Sequence, residues 1–175
     1  MSRPEPIGSR YVYRGRVVTL RLDTLRTIDG REIVREVVEH RGAVAIVPRL
    51  DAGTILLVRQ FRPAVGEWLL EIPAGTLESD EEADACAARE LEEEIGYRPG
   101  RLRRMFTQYM APGYSSERLH AYVADDLEPA KGEADEDEEI QVVPVAAADV
   151  ERRIMAGDIR DAKSIAALLV ALRVP

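Results

Sequence analysis

The chain has a single cysteine, Cys86, so it can form neither an internal disulfide nor a cysteine-rich zinc centre. Flanked by alanines in a helical stretch, Cys86 reads as a small, partly buried apolar residue. No apolar run approaches the roughly 18 residues of a membrane-spanning helix. The opening MSRPEP lacks the apolar region of a secretory signal, and a soluble, cytoplasmic protein is expected. Basic charge is in deficit: 24 lysines and arginines against 32 aspartates and glutamates leave a net charge of −8. Duplex nucleic acid and anionic membranes would repel such a surface. A phosphate-bearing substrate would have to be met by local arginines or by metal ions. Repeats and linkers are absent. So are loops of the D-x-D-x-D-G kind, which speaks against a calcium-binding scaffold.

What is present suffices for one packed domain: 175 residues, 46 % of them hydrophobic. Residues 11–40 alternate like strands around Asp29-Gly30, which predicts an antiparallel hairpin. The continuous apolar runs Ala43–Leu50 and Thr54–Phe61 predict two central strands. Glu67–Gly75 reads as a short strand ending at Pro73, which has no N–H for a ladder. Two strands flank a loop at Pro112–Glu117, an acidic loop covers Gly132–Glu139, and IQVVPVA is a last strand. Helices are predicted over Ala147–Ala156 and Ala162–Leu172. The order of elements indicates an α+β fold of mixed sheets with helices packed on them.

The most charged element is the stretch from Ala74 to Tyr97, AGTLESDEEADACAARELEEEIGY, which holds seven glutamates. Ser79 and Glu82 have capping-box spacing, and Gly96 suits the position after the last turn, so a helix over about Asp80–Ile95 is predicted. Ala83, Ala87, Leu91 and Ile95 form an apolar stripe with Ala88 beside it, and the small alanines imply close approach to a sheet. On such a helix Glu90 lies beside Glu93 and Glu94, and Arg89 is the only base between Ser79 and Ile95. The plain reading is a solvated acidic face. The alternative is a cation clamp: crowded carboxylates are relieved by a hard divalent ion, which prefers oxygen ligands.

Spacing favours the second. Gly75, Glu81, Arg89-Glu90-Leu91, Glu93-Glu94 and Gly96 match the Nudix box, G-x5-E-x7-R-E-U-x-E-E-x-G-U, at every position but the last, where Tyr97 replaces an aliphatic residue. The chain thus resembles the Nudix hydrolases. From about Tyr13 to Leu169 it is similar to the ADP-ribose pyrophosphatases among them, through YRGRVV, VRQFRPAV, WLLEIPAG, APGYSSE, DEDEEI and DAKSIAAL. Pro112, sixteen residues beyond Gly96, is the downstream proline of that group, with Ala111 in place of its usual serine.

The resemblance implies a Nudix fold, mixed sheets sandwiched between helices behind an N-terminal antiparallel sheet. Residues 1–42 would be strands exchanged in a homodimer, and 43–175 the hydrolase domain. The implied activity is Mg²⁺-dependent hydrolysis of ADP-ribose to AMP and ribose 5-phosphate, with Mn²⁺ or another divalent cation able to substitute.

By the same resemblance, Glu90, Glu93, Glu94 and the backbone carbonyl of Ala74 are metal ligands. Glu94 also counts with the catalytic set, Arg89 orients its neighbouring carboxylates, and Glu81 braces Arg89 or the loop. Arg62 contacts phosphate or the adenosine side, Glu71 the site wall or the base. Glu78, Pro112, Gly113 and Glu117 belong to the substrate site, Glu117 at the terminal ribose or the metal shell. A glutamate of the acidic loop, Glu138 or Glu136 with Glu138 preferred, is the general base or binds a further metal. His40 and His120 show no pairing for nucleophilic catalysis, and Trp68 and Tyr114 either stack on a ligand or pack. Two alternatives stay open: another nucleoside diphosphate sugar such as GDP-mannose, and a nucleotide-binding Nudix domain without catalysis.

Overall fold

The computed structural model describes residues 3–131 and 139–174. The chain divides into two compact units, Met1–Gly42 with Tyr109–Arg118, and Ala43–Gln108 with Leu119–Pro175.

The first unit carries an antiparallel sheet in the order β1 (Glu5–Arg14), β2 (Thr19–Arg26), β3 (Glu32–Glu39). The expected hairpin is β2–β3, turned at Gly30, whose φ of +84° suits a residue without Cβ. Asp29 steadies the turn by accepting from Arg31 at 2.6 Å and from the Thr27 hydroxyl. A third strand, β1, begins earlier than the alternation at Tyr11 indicated, and all ten of its residues are exposed. The segment after Tyr109 is fastened to β3: Val38 N–H donates to Tyr114 O at 2.8 Å, and Ser116 N–H to Val38 O at 3.0 Å.

The second unit, to which all but Tyr109 and Arg118 of the following elements belong, is built from β4 (Ala43–Pro48), β5 (Thr54–Arg62), β6 (Glu67–Glu71), β7 (Ala74–Thr76), α1 (Ala83–Ile95), β8 (Tyr97–Tyr109), β9 (Arg118–Pro129), β10 (Ile140–Ala146), α2 (Val150–Ala156) and α3 (Ala162–Ala171). One sheet runs β7-β4-β9-β8 and a second β10-β5-β6. Both apolar runs are central strands as expected, although they lie in different sheets. The strand expected over Glu67–Gly75 is likewise two strands. Pro73 cannot continue a ladder, and there the chain passes from β6 in one sheet to β7 in the other.

Successive strand residues point to opposite faces. Val44 and Ile46 of β4, with Leu56 and Val58 of β5, join Ala83, Cys86, Ala87, Leu91 and Ile95 of α1 in one buried cluster. The alternate residues Ala45, Val47, Ile55 and Leu57 are buried too, and α3 packs on β4. Residues on both faces of β4 and β5 are therefore buried, as their unbroken apolar runs require. Among the described residues no helix is long and apolar enough to cross a membrane.

The expected stripe of α1 faces this core, and Gly96 (φ +71°) ends the helix with its N–H on Glu92 O at 3.2 Å. The start of the helix differs from expectation. It begins at Ala83, Glu82 holds the cap position without a side-chain cap bond, and Ser79 is not the cap. The cause is Asp80, whose φ of +62° turns the chain between Ser79 and the helix.

Candidate active site

The site is built where β7 meets α1. Ala74 and Gly75 are held in β7 by pairing with Ala45 and Val44 of β4. A Cβ on Gly75 would stand 1.8 Å from Glu90 Oε1 and 1.9 Å from its Cδ. Only glycine lets the Glu90 carboxylate lie against this backbone, and Glu90 is accordingly buried. One turn along, Glu94 Oε2 accepts from Ala74 N–H at 3.1 Å. Glu90 and Glu94 thus line the Ala74–Gly75 turn together. Glu92, off this face, pairs instead with Arg98 at 2.8 Å.

Arg89 organises the remaining carboxylates. Its Nε and Nη2 donate to Glu81 Oε1 and Oε2 at 2.9 and 3.1 Å, a bidentate pair. Its Nη1 reaches Glu93 Oε2 at 2.7 Å and Glu90 Oε1 at 2.9 Å. Glu81 Oε2 also accepts from Glu78 N–H at 3.0 Å. The Arg89 hydrogen bonds outweigh burial and hold the Glu81 carboxyl at about 2. Burial first, then the neighbouring Glu81, push the Cys86 thiol up to about 12, so it stays protonated. Fully buried, Cys86 packs beneath Arg89, with Nη2 3.4 Å from its sulfur.

Among the described residues no three carboxylate, histidine or cysteine side chains converge as a metal-holding group. Arg89 stands between Glu81, Glu90 and Glu93 as their counter-charge. The donor chemistry nevertheless fits a hard divalent cation. Glu90 and Glu94 bring carboxylate oxygens to the backbone of Ala74–Gly75, and the missing Gly75 side chain leaves them room.

A second charged group joins Arg62, the last residue of β5, to Glu71, the last residue of β6. Arg62 donates through Nε and Nη2 to Glu71 at 2.9 and 2.8 Å, across neighbouring strands. Glu71, only 1 % exposed, also accepts from Lys163 of α3. Burial pushes its pKa up, but Arg62 and Lys163 outweigh that and keep it ionised. Lys163 bonds Asp161 Oδ2 at 2.9 Å, and Asp161 caps α3 by accepting from Ser164 N–H at 3.0 Å. The Ser164 hydroxyl accepts from Ile72 N–H at 2.9 Å, tying α3 to the β6–β7 crossing. Sequence reasoning gave Asp161, Lys163 and Ser164 no role. The cap signal, an Asp three residues before a Ser at a helix start, was legible. The 92-residue separation of Lys163 from Glu71 was not.

The other expected site residues are placed as follows. Glu78 is exposed in the turn before α1. Pro112 and Gly113 are exposed and Glu117 half-buried, all in the first unit, where Glu117 N–H donates to Ser115 Oγ at 3.2 Å. Glu136 and Glu138 lie outside the described residues. Trp68 packs on Phe61, ring centroids 5.7 Å apart, and Tyr114 is exposed. His40 Nδ1 accepts from Gly42 N–H at 3.1 Å, and His120 Nδ1 lies 2.9 Å from the Thr107 hydroxyl.

Residues 39–168 match the NUDIX domain family. The ADP-ribose pyrophosphatase of Bacillus subtilis (strain 168) is 36 % identical over 164 residues, 93 % of this chain and 89 % of that protein. The GDP-mannose pyrophosphatase of Citrobacter koseri is 34 % identical over 143 residues, 75 % of this chain and 73 % of that protein. A solved structure described as an ADP compounds hydrolase superposes with a TM-score of 0.89 at 28 % identity, covering 99 % of this chain and 94 % of its own.

Proposed function

The chain belongs to the NUDIX domain family and is a pyrophosphatase of that family, and we propose that it hydrolyses ADP-ribose to AMP and ribose 5-phosphate with Mg²⁺ as cofactor. The observation that carries this reading is the convergence of Glu90 and Glu94 on the Ala74–Gly75 turn, beside the Arg89 cluster. Such an arrangement serves phosphoanhydride cleavage, in which catalysis consists of positioning and charge stabilisation.

Glu90, Glu93, Glu94 and the Ala74 carbonyl would hold the cation. Bound there, it would offset phosphate charge and lower the pKa of water. Arg89 keeps Glu90 and Glu93 on one side of α1 by an ion pair with Glu90 and a hydrogen bond to Glu93, and Glu81 fixes Arg89 from the other side. Arg62 uses Nε and Nη2 on Glu71, which leaves Nη1 to donate to a substrate phosphate. Glu138, or Glu136, takes the proton of the attacking water. In this reading Pro112, Gly113 and Glu117 would contact the substrate, Glu117 at the terminal ribose or the metal shell.

The relatives support a nucleoside diphosphate sugar as substrate. GDP-mannose is the alternative, favoured by a pyrophosphatase of that name among them. The protein acts as a cytoplasmic homodimer in this reading. Support comes from β1, an edge strand of ten exposed residues bearing Ile7, Tyr11, Val12 and Tyr13.

The deciding experiment incubates the purified protein with Mg²⁺ and ADP-ribose, GDP-mannose, NADH or diadenosine polyphosphates, and separates the products. AMP formed fastest from ADP-ribose, and lost in Glu94→Gln, is the expected result. No hydrolysis of any compound, or a mutant equal to wild type, removes the catalytic reading.

A further inference from the structure

Glu71 holds two cations at once, and of the two Arg62 is the more exposed. The side chain of Arg62 is 36 % exposed, whereas those of Glu71 and Lys163 are 2 % and 11 % exposed. An Arg62–Glu71 pair alone would be electrically neutral. A neutral pair attracts an anion weakly, because the carboxylate offsets the guanidinium at close range. Lys163 meets the same Glu71 oxygen and is itself paired with Asp161, so the four charges sum to zero; without Lys163, two carboxylates would stand against one guanidinium, a net negative group that repels an anion. Lys163 is itself held by Asp161, at the N-cap of α3, and α3 is tied to Ile72 through Ser164. The arrangement also fixes geometry: Glu71 cannot rotate without breaking contacts on both sides, so the Arg62 fork has one orientation.

We propose that Lys163 is a positioning residue for substrate binding, acting through Glu71 to keep the Arg62 guanidinium charged toward, and aimed at, the diphosphate of the substrate. This rests on the reading of the protein as a nucleoside diphosphate sugar hydrolase with Arg62 at the phosphates. Lys163 itself does not touch the substrate. Its removal therefore weakens binding and leaves the chemical step, performed at the Glu90–Glu94 turn, largely as it was.

The test measures steady-state hydrolysis of ADP-ribose with Mg²⁺ by wild type, Lys163→Met and Lys163→Arg, with thermal melts alongside. Lys163→Met is expected to raise KM about tenfold while kcat stays within about twofold, the pattern of lost uniform binding. Lys163→Arg restores KM to within about threefold by returning the charge. A melting shift in Lys163→Met with KM unchanged makes Lys163 a structural strut and overturns the proposal. So does a KM in Lys163→Arg as high as in Lys163→Met. Should Lys163→Met fail to fold, Lys163→Gln is read against the same criteria. If wild type hydrolyses nothing, the functional reading fails by itself. Calorimetric titration with Mg²⁺ and inorganic pyrophosphate then decides the proposal: weaker binding by the Lys163 variant supports it, and equal binding overturns it.

Discussion

Arg89 grips Glu81 from eight residues away through two parallel hydrogen bonds, Nε to Oε1 at 2.9 Å and Nη2 to Oε2 at 3.1 Å, and spends its remaining nitrogen on Glu90 and Glu93. One guanidinium thereby serves three carboxylates that would otherwise repel one another across the turn and the helix.

Removing Arg89 strands those carboxylates. Arg89→Met is expected to destabilise the fold by about 2 kcal/mol, below the full cost of a broken buried pair because the side chains keep some solvent. Chemical denaturation measures it, and an unchanged midpoint would show that the cluster contributes nothing.

The same pair sets an acid limit. Glu81 titrates near 2 when folded, against an ordinary 4.5. Its folded pKa is depressed, so its contribution is complete above about pH 4.5 and is lost as pH falls toward 2. In Arg89→Met the slope of stability against pH over that window should shrink, as read from denaturation at a series of pH values.

Gly75→Ala should act on activity more than on stability. The new Cβ would lie 1.8 Å from the Glu90 carboxylate, which must swing away from the turn. Loss of kcat by about a hundredfold or more is expected, the scale seen when a positioning group is displaced by about 1 Å. Wild-type kcat in this variant would mean that Glu90 has no part in the site.

A divalent cation bound to native carboxylates stabilises the protein by mass action, by about 2.7 kcal/mol at a hundredfold excess over its Kd. Mg²⁺ is therefore expected to raise the melting temperature of wild type, and chelation to abolish hydrolysis reversibly. In Glu94→Gln the Mg²⁺-induced shift should fall. An identical shift would place the cation elsewhere.

Ser164→Ala leaves Ile72 N–H without its acceptor, in a position where Ser164 is fully buried. An orphaned buried donor costs about 1–3 kcal/mol, and equilibrium unfolding should show a loss in that range. A loss under a few tenths would mean that the crossing from β6 to β7 reorganises freely.

Much of the site was legible because its parts are close in sequence. The distance from Gly75 to Gly96 is one turn and one helix, and helical periodicity alone puts Glu90 beside Glu93 and Glu94 while sending Glu92 elsewhere. The central strands, the Asp29-Gly30 turn and the α+β class followed from local pattern and turn chemistry. Where local rules competed, they misled: Ser79 and Glu82 have capping-box spacing, yet the left-handed Asp80 places the helix start later, at Ala83.

Tertiary structure decided what depends on residues far apart in the chain. Periodicity cannot say that β4 and β5, joined by a short loop, enter different sheets, because that is settled by which strands pair with each. Nor can it bring Lys163 to Glu71, because no spacing rule reaches across 92 residues; packing α3 against β4 does so. The sequence determined which helix face carries the carboxylates. The fold determined the partners of Glu90, Glu94 and Arg62, since burial removes water as a competing partner and leaves each charge to the groups around it.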